Sequence, residues 1–127
     1  MAIKYKIIKR VNPRDITAQK KYYAAVTPNG SVDFETLAEM ISEQSALSET
    51  DCLATLNILE TNIVRELKNG RIVRLGKLGN FQVSLSSEGF DTADEVGADA
   101  ITKTRVLFRP AKKLRSLLKT VSFSTQT

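Results

Sequence analysis

Residues 71–85 read Arg71-Ile72-Val73-Arg74-Leu75-Gly76-Lys77-Leu78-Gly79-Asn80-Phe81-Gln82-Val83-Ser84-Leu85. Apolar side chains recur at every second position on both sides of a break, the period of a half-buried strand. Val73 and Leu75 point one way, and Ile72 and Arg74 the other. Gly76-Lys77-Leu78-Gly79 turns the chain. Phe81, Val83 and Leu85 then alternate with Asn80, Gln82 and Ser84. The stretch is a pair of strands with one core face and one polar face.

Upstream the period is helical. Phe34, Leu37, Ala38 and Ile41 fall at i, i+3, i+4 and i+7, with Asp33 placed to cap. After a break at Ser45-Ala46-Leu47, Ser48 is placed to cap a second helix. Asp51 sits at its N3, where an acid suits the helix dipole. Leu56, Leu59, Ile63 and Leu67 make an apolar stripe that Leu53, Ile58 and Val64 widen, and Asn69-Gly70 closes the helix. Stripes this wide on short helices point to burial against another subunit as well as the chain's own core. Cys52 reads as a small core residue, since nothing beside it in sequence would lower its thiol pKa.

Downstream, residues 86–100 are polar and acidic, which reads as a loop or mobile hairpin. The strand period resumes near Ile101, with Thr104, Val106 and Phe108 on one face and Lys103, Arg105 and Leu107 on the other. Pro110 suits helix position N1, and Leu114, Leu117 and Leu118 give the last helix its buried side. At the other end, Ile3 to Ile8 and Lys21 to Val26 read as strands, separated by a turn at Asn12-Pro13-Arg14-Asp15. Thr27-Pro28-Asn29-Gly30 ends the second of them. Tyr22-Tyr23 reads as one core and one surface residue more readily than as a base-stacking pair. The chain is thus α+β, a two-strand extension followed by ααβββα. The extension covers 1–30, the main domain 31–121 with an arm at about 84–102, and a tail 122–127.

The 127 residues hold 19 Lys and Arg against 14 Asp and Glu, a net charge of +5. That small figure hides opposed blocks. Residues 1–30 carry +6, 31–70 carry −6, 71–83 carry +3, 84–101 carry −5 and 102–127 carry +7. Such blocks predict oppositely charged faces, and basic faces commonly meet nucleic acid or anionic lipid. No His occurs, which removes triads, imidazole acid–base chemistry and His zinc sites. A single Cys allows no internal disulfide and fits a reducing cytosol. Met1-Ala2-Ile3-Lys4-Tyr5-Lys6 lacks the apolar core of a signal peptide, and no apolar run approaches the ~18 residues of a membrane span. The acids Asp91, Asp94, Glu95 and Asp99 miss the calcium-loop spacing. No enzymatic activity, metal, cofactor, small-molecule substrate or membrane is expected.

The element order and two motifs resemble the HU/IHF family of bacterial histone-like DNA-binding proteins. Gly76-Lys77-Leu78-Gly79-Asn80-Phe81 is similar to the family's Gly-Phe-Gly-Thr-Phe signature. Phe108-Arg109-Pro110-Ala111-Lys112-Lys113-Leu114-Arg115-Ser116 is similar to the Phe-Arg-Pro-Gly-x-x-Leu-Lys element that opens the last helix. The resemblance covers roughly residues 32–121. The extension and the run Leu85-Ser86-Ser87-Glu88-Gly89 resemble the longer HU-like proteins of Bacteroides-type bacteria. It implies an intertwined homodimer of HU/IHF-like fold, with a helical base, a saddle of two three-stranded sheets, and arms reaching around double-stranded DNA. It also implies a cytoplasmic, nucleoid-associated role in DNA architecture and condensation.

Strand parity places Arg74, Gln82, Lys103 and Arg105 on the non-core face, where cations neutralise phosphates with little sequence preference. Arg109, Lys112 and Lys113 gather at the start of the last helix, an end whose free N–H groups favour phosphate. With Lys77 these give seven candidate DNA contacts: Arg74, Lys77, Lys103, Arg105, Arg109, Lys112 and Lys113. Lys9, Arg10, Arg14, Lys20 and Lys21 form a possible auxiliary set. The departures from the family matter as much. Its arms are rich in Lys and Arg with a Pro wedge at the tip, whereas residues 84–101 hold no Lys, Arg or Pro and five acids. Lys77 replaces a family Gly, Leu78 its aromatic and Ala111 a Gly, and Asp33 and Glu35 put negative charge at the start of the first helix. Binding with weak or no wedge bending is the expectation. The alternative is a dimeric interaction module of the same fold that has lost DNA binding.

Overall fold

The structure, a computed structural model, describes residues 2–126; Met1 and Thr127, the outer bounds of the extension and the tail, lie outside the described residues. The elements run β1 (Ala2–Arg10), β2 (Lys21–Val26), α1 (Phe34–Gln44), α2 (Glu49–Lys68), β3 (Val73–Leu75), β4 (Gly79–Ser87), β5 (Ile101–Pro110), α3 (Lys112–Thr120) and β6 (Ser122–Thr125). Two short 3-10 turns, Ala93–Glu95 and Ala98–Ala100, lie between β4 and β5. The chain is α+β, with three helices and two three-stranded sheets ordered β2-β1-β6 and β3-β4-β5. It divides into two compact units, Phe34–Ser116 and the paired ends Met1–Asp33 and Leu117–Thr127.

In the unit Phe34–Ser116, α2 is fixed at both ends by its sequence. Ser48 Oγ accepts the Asp51 N–H at 3.1 Å, and the Asn69 N–H closes onto the carbonyls of Arg65 and Glu66. Gly70 then takes φ 78°, a left-handed conformation that costs Gly little. The fully buried residues of α1 and α2 are Ala38 and Cys52, small side chains that let two helices approach closely. Cys52 is a core residue, as its surroundings in sequence predict.

The sheet β3-β4-β5 is antiparallel throughout, and its register is read from Val73↔Phe81↔Phe108. Phe81 and Phe108 meet across the ladder with ring centroids 4.9 Å apart and ring planes tilted by 52°. Gly79 is the close-approach point. A Cβ there would lie 2.5 Å from the Arg109 carbonyl oxygen and 2.6 Å from the Phe108 ring, so only Gly fits.

The ladder also corrects the expected helix start. Pro110 is not at N1; it ends β5 opposite Gly79, and α3 begins two residues later at Lys112. The Ala111 N–H donates to the Leu78 carbonyl at 2.8 Å, which keeps the chain extended past Pro110. Ala111 itself accepts the first helical bond, from the Arg115 N–H at 2.9 Å.

Much of the apolar stripe lies uncovered. Leu53, Leu56, Ile63 and Leu67 are half-buried, but Ile58, at 60% exposure, Leu59 and Val64 are not. The apolar sheet face likewise exposes Val83, Leu85, Val106 and Phe108. On α3 only Leu114 is half-buried; Leu117 and Leu118 are exposed, contrary to the buried side expected of them. Each such side chain stands to gain ~1.5–3 kcal/mol on full burial.

The other unit is a sheet in which β1 pairs antiparallel with β2 and parallel with β6. The segment expected as a tail is therefore largely a strand. Phe123 and Thr125 pair with Ile3 and Tyr5, and the Gln126 N–H donates to the Tyr5 carbonyl at 2.9 Å. The turn expected at residues 12–15 forms, with the Asp15 N–H donating to the Asn12 carbonyl. Tyr22 and Tyr23 point to opposite faces as strand neighbours must, yet both are exposed, so neither is the expected core residue.

Candidate nucleic-acid interface

Register fixes which side chains share the polar face of β3-β4-β5. Arg74, Asn80 and Arg109 lie on one rung across all three strands. Below it come the pairs Gln82–Leu107, Ser84–Arg105 and Ser86–Lys103. Four cations thus share a face with short polar residues between them, joined by the half-buried Leu107. Arg74 and Arg109 are two strand spacings apart, about 9.5 Å, and Lys103 and Arg105 about 6.8 Å apart along β5. Parity in the sequence predicts the placement of Arg74, Gln82, Lys103 and Arg105. It predicts Arg109 only as a helix-start residue, whereas the ladder adds it to the sheet face through its rung with Asn80.

These cations are available. Among the described residues, ion pairs are limited to Arg65 and Arg71 with Glu66, the latter at 2.7 Å. Arg105 is steadied by donating from Nη2 to Ser86 Oγ at 2.8 Å, a neutral partner that leaves its charge uncompensated. Arg74, Lys103, Arg105 and Arg109 are all exposed.

The second cluster is built by the turn before β4. Gly76 takes φ 55°, and the Leu78 N–H closes onto the Leu75 carbonyl at 3.0 Å. The Lys77 carbonyl accepts the Lys113 N–H at 3.3 Å, which brings Lys77 beside Lys112 and Lys113 at the start of α3. That bond and the one from Ala111 consume two N–H groups that the sequence reading leaves free for an anion. The cluster therefore offers chiefly its three exposed ammonium groups.

At the far end of the β4–β5 hairpin the sign reverses. Pairing continues to Ser87↔Ile101, so the arm is laddered further than the expected loop. The Glu88 N–H donates to the Ala100 carbonyl at 3.0 Å and Ala100 is buried, which closes the loop 88–100. Thr92 Oγ1 donates to Glu95 Oε1 at 3.1 Å. Glu88, Asp91, Asp94, Glu95 and Asp99 are all exposed, and no group among the described residues is arranged to hold a metal ion.

The auxiliary basic set does not form one cluster. In the terminal unit Arg10 and Lys21 pair directly across β1 and β2. Lys9 points to the opposite face, with Nζ 5.4 Å from the centroid of the Tyr22 ring. Arg14 and Lys20 lie on the β1–β2 loop. In that loop the Asp15 carboxyl is held below the usual Asp range, first by the Thr17 hydroxyl donating at 2.6 Å and then by the Thr17 N–H at 3.1 Å. No described helix is long and apolar enough to cross a membrane.

The model of a family described as HU-HIG, an HU domain fused to a wHTH, Ig or glycine-rich motif, matches residues 1–125. The alpha subunit of integration host factor from Vibrio cholerae is 32% identical over 87 residues, 67% of this chain and 89% of the relative. That of Colwellia psychrerythraea is 34% identical over 82 residues, 63% of this chain and 84% of the relative. The chain is also similar in fold to the crystal structure of a candidate bacterial DNA-binding protein from Bacteroides vulgatus. The TM-score is 0.61 at 16% identity, covering 95% of this chain and 47% of that one.

Proposed function

The chain belongs to the HU/IHF-like family, and from that premise we propose that it is a nucleoid-associated protein that binds double-stranded DNA through the polar face of β3-β4-β5. The observation that carries this reading is the cation set Arg74, Lys103, Arg105 and Arg109 on one sheet face, with no acid paired to any of them among the described residues. Lys77, Lys112 and Lys113 extend the contact along the phosphate backbone. Such groups act by releasing counterions, which gives affinity without reading bases, so binding is mostly nonspecific in sequence. The domain spans 31–121, with the arm rooted at this face.

The hairpin tip works against sharp bending. A wedge enters the minor groove, where negative potential is concentrated, and five carboxylates at residues 88–100 are repelled from it. DNA is held by the body and the base of the arm, and the tip stays outside.

The partner that covers the uncovered apolar surface is a second copy, in the intertwined homodimer of this family. The exposure of Ile58, Val64, Val83, Leu85, Val106 and Phe108 supports it, since a soluble monomer rarely leaves so many large apolar groups in water.

The test is affinity for a random-sequence duplex across a salt series, with a circularisation assay beside it. A steep salt dependence and little ring closure are expected. The acidic tip favours one other reading, an interaction module of this fold that no longer binds DNA. Absence of binding at low salt would establish that module instead.

A further inference from the structure

The sheet β2-β1-β6 has two chemically different faces. Ile3, Tyr5 and Ile7 of β1 share one face with Tyr22 and Val26 of β2 and Phe123 of β6. The other face carries Lys4, Lys6 and Arg10 from β1 and Lys21 from β2, with the half-buried Ile8 and its partner Tyr23 between Lys6 and Arg10. None of the three strands contains an acid. All four cations are exposed, and among the described residues none makes an ion pair.

Two features make this more than a solvated strand. Arg10 and Lys21 stand directly opposite each other in the ladder, a like-charge arrangement that destabilises a sheet unless an anion lies between them. They also flank a cleft of about 500 Å³, lined as well by Asn12, Gln19 and Tyr23, where the two strands part. Along β1, Lys4 and Lys6 are about 6.8 Å apart and Lys6 and Arg10 about 13.5 Å, spacings of the extended strand. Duplex DNA carries one phosphate per 3.4 Å of axis on each strand, so cations spaced along one exposed strand face dense negative charge where that strand crosses the backbone.

We propose, resting on the DNA-binding function above, that this face is a second phosphate-backbone contact for duplex DNA, made by Lys4, Lys6, Arg10 and Lys21. Lys4 and Lys6 join it because of strand parity. Lys9 is excluded for the same reason, since it lies over Tyr22 on the apolar face. The terminal sheet thus supplies charge that the acidic arm does not.

The experiment compares the full-length protein with a K4Q/K6Q/R10Q/K21Q variant in titrations of a random-sequence 40-bp duplex at several salt concentrations. A K68Q/K119Q variant controls for the removal of cations outside the two basic sheet faces. With each phosphate contact contributing about 0.9 to the slope of log K against log salt, the quadruple variant should be shallower by about 2–4 for each chain engaged, and the control nearly unchanged. A second readout needs no variant: duplex DNA should protect Lys4 and Lys6 of the wild type from amine acetylation at low salt. Wild-type binding with an unchanged slope in the quadruple variant, or with Lys4 and Lys6 acetylated equally in the complex, overturns this inference and leaves the saddle contact standing. Protection by phosphatidylserine vesicles but not by duplex overturns it in favour of a membrane surface. No binding of the wild type to duplex at low salt removes the DNA-binding function itself.

Discussion

The base of the β4–β5 hairpin is an antiparallel ladder and its tip is the loop that closes that ladder, and the two carry opposite charge. At the base, Arg74 and Arg109 sit on a common rung with Arg105 and Lys103 further out; beyond Ser87↔Ile101 every charged residue of the loop is acidic. Paired strands present the cations at one end, and a loop with two 3-10 turns presents the carboxylates at the other. Fold alone does not say whether a hairpin of this kind reaches into a DNA groove. The side chains at each level decide it.

The largest effect is expected at the base. R74Q/R105Q/R109Q removes three candidate phosphate contacts per chain, which should flatten the salt slope by about 2.7 with one chain engaged and about 5.4 with both chains of a dimer, and lower duplex affinity at 0.1 M salt by at least about 10²-fold. Filter binding or fluorescence anisotropy measures both. Unchanged affinity would break the distinction between base and tip.

Packing sharpens the same comparison. Gly79, at the base, has the Arg109 carbonyl and the Phe108 ring where a Cβ would sit, while Gly89, toward the tip, has open space. Gly79→Ala should cost about 1–3 kcal/mol by overpacking. Gly89→Ala should change stability by less than about 0.5 kcal/mol. Thermal or urea unfolding of the two variants reads the difference directly.

Neutralising the tip is a smaller perturbation. D94N/E95Q should raise duplex affinity by no more than about 3-fold at 0.15 M salt, because charges beyond a Debye length of about 8 Å are largely screened. A gain of 100-fold would mean that the tip lies against DNA.

The smallest effect lies outside the hairpin, at Asp15. Its folded pKa is depressed, so the associated stabilisation is present above its unfolded value and is lost as pH falls through the folded one. Thr17→Val should move the Asp15 midpoint upward in an NMR titration, and an unmoved midpoint would remove the Thr17 hydroxyl as its cause.

Local chemistry explains what the sequence made legible. The strand parity of Arg74, Gln82, Lys103 and Arg105, the Ser48 cap and the left-handed Gly70 all follow from neighbouring residues. The features that were not legible depend on distant partners. Pro110 suits a helix start by its own geometry, but the bond from Ala111 to the Leu78 carbonyl, over thirty positions back in sequence, holds it in the ladder. Ser122-Phe123-Ser124-Thr125 has one large apolar residue and reads as a tail; its strand exists because β1, at the far end of the chain, offers an open edge. Leu117 and Leu118 look like core from their helical spacing, yet nothing in the described residues covers them and both are exposed. Arg109 belongs to both stories, since its motif marks a helix start while its rung with Asn80 and Arg74 joins it to the basic face.

The distinction between base and tip is tested most directly by a photo-crosslinker placed singly at Gln82 or at Asp94 in the otherwise wild-type protein bound to a random-sequence duplex. Crosslinking from Gln82 that fades with added salt, and none from Asp94, is the predicted result. Crosslinking from Asp94 as strong as that from Gln82, or none from Gln82 at low salt, would contradict it.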